Sequence, residues 1–260
     1  MDFMGIAVDS SYLSHLNSKA TAGASVTEMG SGVWRLSLPS GPAGPYRLAQ
    51  MDDYLDQPRS KFPWQVPLRV SLWMRASGSS IPGTWGLGFW NDPFDINLGL
   101  GGASRHLPAL PNTAWFFYAS PPNYLALRDD HPAQGMLAAI FSSPLVPPLL
   151  LSSGVLFAPL LFLPATARLL RRTARKIIQE DAVELTHDLT TWHKYEIEVN
   201  SHQTRFYLDE KLCFESPIVP RGHLGLVIWI DNQYAAFRPE GVLRSGNLEN
   251  PVPAWIEVKV

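Results

Sequence analysis

The stretch LGLVIWID, Leu224–Asp231, alternates strictly between two sets of residues. One set is Leu224, Leu226, Ile228 and Ile230, and the other is Gly225, Val227, Trp229 and Asp231. Because successive side chains of a β-strand point to opposite faces, the first set forms a continuous aliphatic row. The stretches Leu68–Arg75 and Lys194–Val199 alternate in the same way. This pattern predicts antiparallel sheets that bury one face and leave the other open.

Further short strand candidates recur along the chain, separated by clusters of Pro, Gly, Ser and Asn. They are Val33–Leu38, Tyr46–Ala49, Thr84–Trp90, Trp115–Ala119, Thr204–Leu208 and Trp255–Val260. Short strands at regular spacing are typical of sandwiches and jelly rolls. We therefore predict an all-β fold, an antiparallel β-sandwich of the jelly-roll kind, formed as a single domain over residues 1–260 with one insertion.

The predicted insertion is Met136–Glu180, which departs from the strand pattern. Leu137–Phe162 is almost wholly apolar, and prolines within it would break a membrane-spanning helix. The insertion ends with the cations Arg168, Arg171, Arg172, Arg175 and Lys176. We expect a helical, hydrophobic and basic element whose last helix runs from about Ala165 to Glu180. Two roles stay open: a core-packing hairpin, or an element that contacts an anionic membrane surface.

The composition narrows the classes of partner. A formal net charge of -2 over 260 residues argues against nucleic-acid binding, which favours a basic field. Cys213 is the single cysteine, and none of the seven histidines has metal-ligand spacing, so we expect neither a cofactor nor a metal. The N-terminus does not read as a secretory signal, so we expect a cytoplasmic location, with peripheral membrane attachment as the alternative.

Three segments resemble the concanavalin A-like lectin/glucanase superfamily. Trp192–Ser216 is similar to a hairpin of that superfamily in which a Trp-His pair opens the first strand. Pro253–Val260, PAWIEVKV, resembles its last strand, and Gly83–Phe94, GTWGLGFWNDPF, resembles a glycine-rich aromatic strand of its sugar-active members. The resemblance implies a laminin G-like or laminarinase-like jelly roll whose ligand lies across the concave sheet.

The carboxylate motif of the laminarinase-type hydrolases, Glu-x-Asp-x-x-Glu, is missing from this sequence. That motif supplies a nucleophile and an acid/base from one face of a strand. The nearest acidic residues are Asp92 with Asp95, and Glu196 with Glu198. The glutamate pair shares a face, but no third carboxylate follows it, so we interpret it as surface charge.

The most suggestive site residues are Trp229, Asp231, Asn232 and Gln233. Trp229 and Asp231 lie opposite the Leu/Ile row, where an aromatic plane can stack on a ligand and a carboxylate can fix its orientation. In the alternative interpretation, Trp229 fills a core and Asp231-Asn232 begins a turn. Asp231 and Asp92 are the two candidate catalytic residues.

Other ligand-binding candidates lie on three more strands: Trp90 and Asn91, Trp73 and Arg75, and Tyr118. Trp90 and Asn91 follow Gly86 and Gly88, and glycine in a strand permits the close approach of a ligand. A bulge and turn before Pro93 explains the same residues equally well. Arg75 could bind an anionic group, or it could form a cation–π pair at the surface.

Three kinds of function fit this sequence. The first is a binding protein that holds a glycan, glycolipid or other amphiphilic or hydrophobic small molecule in an aromatic groove capped by the insertion. The second is an enzyme, either a cyclase or isomerase with an aspartate as general acid/base or a divergent glycoside hydrolase. The third is an interaction protein whose insertion docks on a membrane or partner.

Overall fold

A computed structural model describes residues 10–93, 107–147, 151, 163–241 and 243–260. In chain order its strands are β1 (Asn17–Thr21), β2 (Ser25–Gly30), β3 (Val33–Leu38), β4 (Leu48–Asp52), β5 (Leu68–Ala76), β6 (Thr84–Trp90), β7 (Thr113–Ala119), β8 (Gly135–Ser142), β9 (Gln179–Leu185), β10 (His193–Val199), β11 (Thr204–Leu208), β12 (Lys211–Ser216), β13 (Gly225–Asp231), β14 (Gln233–Phe237), β15 (Leu243–Asn247) and β16 (Ala254–Lys259). The α-helices with described bounds are α1 (Ser10–His15) and α2 (Pro164–Ile177), and Arg59–Lys61 forms one 3₁₀ turn.

The strands form two seven-stranded sheets and one hairpin. The first sheet has the order β1-β4-β13-β6-β7-β8-β9, and the second has the order β12-β11-β10-β5-β16-β3-β2. Strands β14 and β15 pair separately. Every pairing between named strands is antiparallel. The predicted antiparallel β-sandwich is therefore confirmed.

The main core lies between the two sheets. Leu224, Leu226, Ile228 and Ile230 are all fully buried in it, as the alternation of Leu224–Asp231 predicts. The second sheet contributes the matching row of β5, from Leu68 to Met74. Cys213 packs against this core, with its thiol 3.2 Å from the carbonyl oxygen of Phe206.

The predicted helical insertion over Met136–Glu180 is wrong at both ends. Gly135–Ser142 is strand β8, and Gln179 already belongs to β9, which pairs directly with β8. The apolar run misled the prediction because β8 is buried on both faces: Ala138 and Ile140 enter the core, while Leu137 and Ala139 pack in a second apolar cluster. A strand covered on both sides loses its alternation.

The predicted basic helix is present as α2, which ends at Ile177, before the expected limit. Within the expected insertion, residues 148–150 and 152–162 lie outside the described part of the chain. No helix among the described residues is long and apolar enough to cross a membrane.

Candidate functional site

The first sheet turns one face away from the core, and strand register arranges that face in four rows. Row 1 holds Asp231, Thr84 and Ala119; row 2 holds Trp229, Gly86, Phe117 and Leu137; row 3 holds Val227, Gly88, Trp115 and Ala139; row 4 holds Gly225, Trp90, Thr113 and Phe141. We call this surface the cavity face. On β6, β7, β8 and β13, rows 2 and 3 are apolar apart from the indole N–H groups of their tryptophans. On the neighbouring strand β4, Gln50 pairs with Trp229 and Asp52 pairs with Val227.

Two glycines of β6 create room for the aromatic floor. A Cβ added at Gly86 would lie 3.0 Å from the Trp229 ring, and one added at Gly88 would lie 2.4 Å from the Cβ of Trp115. Glycine in a strand interior costs stability and often marks the close approach of another group. The glycines therefore let the two indole rings lie over β6, with ring centroids 5.6 Å apart.

Trp90 extends this floor towards row 4. Its ring lies parallel to that of Trp229, with an interplanar angle of 2° and a centroid distance of 6.4 Å. Phe117 stacks against Trp229 on the other side, at 5.8 Å. The Nε1 group of Trp115 is buried and has no hydrogen-bond partner within the described ranges.

A partial roof lies over the floor, and the half-open cavity between them has a volume of about 970 Å³. Helix α2 contributes Leu170 and Ala174, and the hairpin β14–β15 contributes Phe237 and Leu243. Two loops, residues 54–58 and 123–133, also contribute to the lining. Ligand pockets usually measure about 300–1,000 Å³, so this cavity is at the upper end of that range.

Arg171 of α2 holds the roof together. It is 3% exposed, and its guanidinium donates hydrogen bonds to the carbonyl oxygen of Ala126 at 2.7 Å and to that of Phe237 at 2.6 Å. It also pairs with Asp129 at 2.6 Å. One cation therefore joins the helix, the 123–133 loop and the β14–β15 hairpin.

Asp231 is the buried acidic group at the row 1 end of the cavity. Its Oδ1 accepts hydrogen bonds from the Thr84 hydroxyl at 2.8 Å, the Thr84 amide at 3.2 Å and the Gln233 amide at 3.1 Å. Its Oδ2 accepts a longer one, 3.3 Å, from the Tyr46 hydroxyl. Burial raises the pKa of Asp231 to about 7, although these hydrogen bonds oppose the rise. Near neutral pH the carboxyl group can therefore both give and take a proton.

The structure brings five of the sequence-predicted residues together. Trp229, Asp231, Gln233, Trp90 and Asp92 all line the cavity. Strand register explains why they share one cavity: β6 and β13 are paired, with Trp90 at one end of the pair and Asp231 at the other.

Asn232 and Asn91 do not belong to the cavity lining. The Asn232 amide donates to the carbonyl oxygens of Pro45 and Leu248, and its oxygen accepts from the Arg47 amide. Asn91 bonds in the same closed manner to Leu110 and Asn112. All these polar groups are used in fixing loops, and neither residue lines the cavity; that they contact a ligand stays a prediction.

Trp73 and Arg75 lie on the other sheet, on the side turned away from the core. Arg75 bonds to Glu257 at 2.7 Å, and its guanidinium lies 4.8 Å from the ring centroid of Trp192. Lys259 lies 5.8 Å from the ring centroid of Trp73. This is the surface cation–π arrangement that the sequence left open as the alternative.

Tyr118, a ligand-binding candidate, lies on the core face of β7. It packs in the core, stacked on Trp85 at 5.4 Å, because its neighbours Phe117 and Trp115 take the cavity face. The segment Thr113–Ala119 is buried throughout, so its sequence gives no sign of which face is which.

Several lining residues were not predicted as site residues from the sequence. They are Tyr46, Leu48, Gln50, Tyr54, Trp115, Phe117, Leu137, Ala139 and Phe141, together with Leu170 and Ala174 of α2. The strand residues among them carry a recoverable signal, since register from Trp229 and Gly86 leads to Phe117 and Leu137. The described residues contain no cluster of three or more His, Cys, Asp or Glu that could hold a metal ion.

No protein-family model matches the chain, and no curated protein matches it. Among solved structures it is similar to the catalytic domain of an endo-1,3-β-glucanase (laminarinase) from Thermotoga petrophila RKU-1, with 10% identity over 90% of this chain and 79% of that chain and a TM-score of 0.43. LamAcat from Zobellia galactanivorans matches with 10% identity over 88% and 76%, and a TM-score of 0.43. The Bacillus licheniformis β-glucanase matches with 11% identity over 94% and 89%, and a TM-score of 0.41. These are proteins of the kind that the sequence segments resemble.

Proposed function

We propose that the protein binds a predominantly apolar small molecule in the cavity of the first sheet. The apolar, aromatic lining carries this proposal: rows 2 and 3 below and α2 with the β14–β15 hairpin above present mainly carbon to the space between them. Burial of an apolar ligand there would remove water from both surfaces, at about 25 cal/mol for each Å².

One polar group of the ligand would meet Asp231. The carboxylate Oδ2 makes only a long hydrogen bond, 3.3 Å from the Tyr46 hydroxyl, and thus retains acceptor capacity. A ligand hydroxyl or amine could donate to it, and a ligand carbonyl could accept from the protonated acid. An apolar cavity with a few convergent polar groups is the usual form of a small-molecule site.

A free glycan fits this cavity less well than an amphiphile. A sugar would bring many hydroxyl groups that need partners, whereas most lining side chains offer none. Two-carboxylate glycoside hydrolysis also requires acids about 5–10 Å apart. Asp231 lies in row 1 and Asp92 follows row 4, so these two acids are at opposite ends of the cavity face. Both oxygens of Glu180 already accept hydrogen bonds from the Leu127 amide.

The test is a titration with the neutral fluorophore N-phenyl-1-naphthylamine. At roughly 0.3–0.5 kcal/mol for each of its 17 non-hydrogen atoms, we expect a Kd between about 0.5 and 200 µM. Ala139→Phe, which fills row 3, should abolish binding, and Ser71→Phe on the outer side of the second sheet is the matched control. Binding of a β-1,3-glucan trisaccharide without binding of the fluorophore would refute the proposal.

General acid–base catalysis on the same bound molecule is the second candidate function. The observation that favours it is the pKa of Asp231, about 7, at one end of a largely apolar cavity. Such a site suits isomerisation or cyclisation of an unsaturated substrate. Compounds that displace the fluorophore should be incubated with the protein and analysed chromatographically, since isomers share one mass. Asp231→Asn should then lower the rate by about 10²–10⁴ while binding remains; an unchanged rate removes this candidate.

The outward side of α2 supports attachment to an anionic membrane surface, in line with the basic character of the helix. Leu169 and Ile177 are 65% and 44% exposed, and Arg172 and Lys176 lie on the same outward half of the helix. Exposed apolar residues beside cations bind headgroups and the acyl boundary together. Sedimentation with phosphatidylserine vesicles should fall for Leu169→Glu/Ile177→Glu, and equal sedimentation with pure phosphatidylcholine vesicles would contradict an anionic target.

A further inference from the structure

Tyr54 forms a second polar point at the row 4 end of the cavity. Its ring lies on β13 where Gly225 leaves room: a Cβ added there would lie 2.1 Å from the tyrosine Cδ1. Phe62 packs against the ring at 4.7 Å, and Trp90 meets it edge-on at 6.2 Å. The side chain is only 4% exposed and is part of the cavity lining, so its position is determined by packing.

The Tyr54 hydroxyl has a proton to offer. Its oxygen accepts hydrogen bonds from Trp90 Nε1 at 2.8 Å and from Gln50 Nε2 at 3.3 Å, which occupy both of its lone pairs. The hydroxyl donates to no residue in the described part of the chain. Burial, and then the nearby charges of Asp92 and Asp52, hold the pKa of Tyr54 well above its usual value, so the group stays a donor.

Asp231 and Tyr54 lie at opposite ends of the aromatic floor. Row 1 and row 4 are six residues apart on β6, which is roughly 20 Å at about 3.3 Å per residue. The Tyr54 hydroxyl lies within hydrogen-bonding distance of Gln50, which is the β4 partner of Trp229 in row 2. The distance between the Tyr54 hydroxyl and the Asp231 carboxyl group is therefore shorter than the distance between the two strand ends. Between them lie the rings of Trp229 and Trp90.

We infer that the ligand is elongated and has two polar ends: an acceptor oxygen, such as a ketone carbonyl, that binds Tyr54, and a group that hydrogen-bonds Asp231 at the other end. This inference rests on the proposed function and names its ligand class. The apolar middle section of such a molecule lies on the tryptophans. A molecule with one polar end leaves either the Tyr54 proton without an acceptor or Asp231 Oδ2 with only its long bond from the Tyr46 hydroxyl, and it therefore forgoes one hydrogen bond.

The probes are 12-hydroxydodecan-2-one, with two polar ends, and 1-dodecanol, with one. Each competes with N-phenyl-1-naphthylamine on the full chain. We expect the hydroxyketone to bind about 3–10-fold more tightly than the alcohol, which is the range that one hydrogen bond gives. In Tyr54→Phe this ratio should fall to about one or below it, because the ketone then has no donor. Tyr207→Phe, on the side of the second sheet turned away from the core, is the matched control and should keep the wild-type ratio.

The two proposals fail separately. If neither compound displaces the fluorophore, and the fluorophore itself does not bind, the proposed function is wrong. If both displace it with equal affinity in the wild type, the ligand class inferred from Tyr54 is wrong while the apolar site stands. The wild-type comparison does not depend on the variant, so it decides the inference even where Tyr54→Phe, which deprives Trp90 and Gln50 of their acceptor, is poorly folded.

Discussion

Replacing Asp231 by Asn should change how stability depends on pH. The amide is nearly the same size as the carboxyl group, and its oxygen can still accept from Thr84 and Gln233. The wild-type acid has a folded-state pKa of about 7, compared with 3.8 for the exposed group. Between those two values the folded protein holds the proton more tightly than the unfolded chain does, so the free energy of unfolding falls as pH rises.

The size of the effect follows from that shift. A difference of about three pKa units corresponds to about 4 kcal/mol, of which about 3 kcal/mol develops between pH 5 and pH 8. Because Asn does not titrate, the variant does not lose this part of the free energy of unfolding as pH rises. The free energy of unfolding of Asp231→Asn, minus that of the wild type, should therefore become about 3 kcal/mol more positive from pH 5 to pH 8. Subtraction removes the contribution of Asp53, whose pKa burial raises to about 6.

Urea unfolding followed by fluorescence at pH 5, 6, 7 and 8 measures this difference, with ligand-free protein and constant salt. Asp130→Asn is the control, because Asp130 is exposed and Arg128 lowers its pKa, so its difference should not change over the same range. A difference for Asp231→Asn that stays constant from pH 5 to pH 8 would show that the carboxyl group is already ionised at pH 5. The general acid–base candidate would then lose its basis.

Three more changes test the aromatic floor, Arg171 and the roof. Trp229→Ala removes a ring that is only 8% exposed and packs against Trp90, Trp115 and Phe117, so it should cost about 3 kcal/mol of stability, the lower end of the ~3–5 kcal/mol of a full core site. It should also weaken fluorophore binding about tenfold, and an unchanged Kd would contradict its place in the floor. Arg171→Met removes the cation that joins three roof elements, so we expect limited proteolysis to cut residues 123–133 or α2 first. Equal protection of all segments would contradict the role of Arg171 in holding the roof together. A four-residue Gly/Ser link between Ser143 and Gln179 should keep the β circular dichroism signal and abolish fluorophore binding, because Ser142 and Gln179 already pair. Removing 136–180 instead deletes β8 and should unfold the protein.

The sequence alone determined the sandwich and the sidedness of its central strand. In Leu224–Asp231 every second residue is aliphatic, and burying that row against a second sheet removes the most apolar surface from water. The same alternation placed Trp229 and Asp231 on the face opposite the core, where both line the cavity. Period-2 alternation is a local property, so it can be read without knowing any long-range contact.

Only the tertiary structure decided the features that depend on strands buried on both faces or on contact partners distant in sequence. Tyr118 and Met136–Ser142 belong to strands buried on both sides, where no alternation remains to tell core from cavity. Asn232 and Asn91 share the composition of site residues, but their amides close loops through partners as distant as Arg47. The Tyr54 end of the cavity exists only because Gly225, more than 150 residues away, leaves space for its ring. Such contacts arise from packing, which a single sequence does not specify locally.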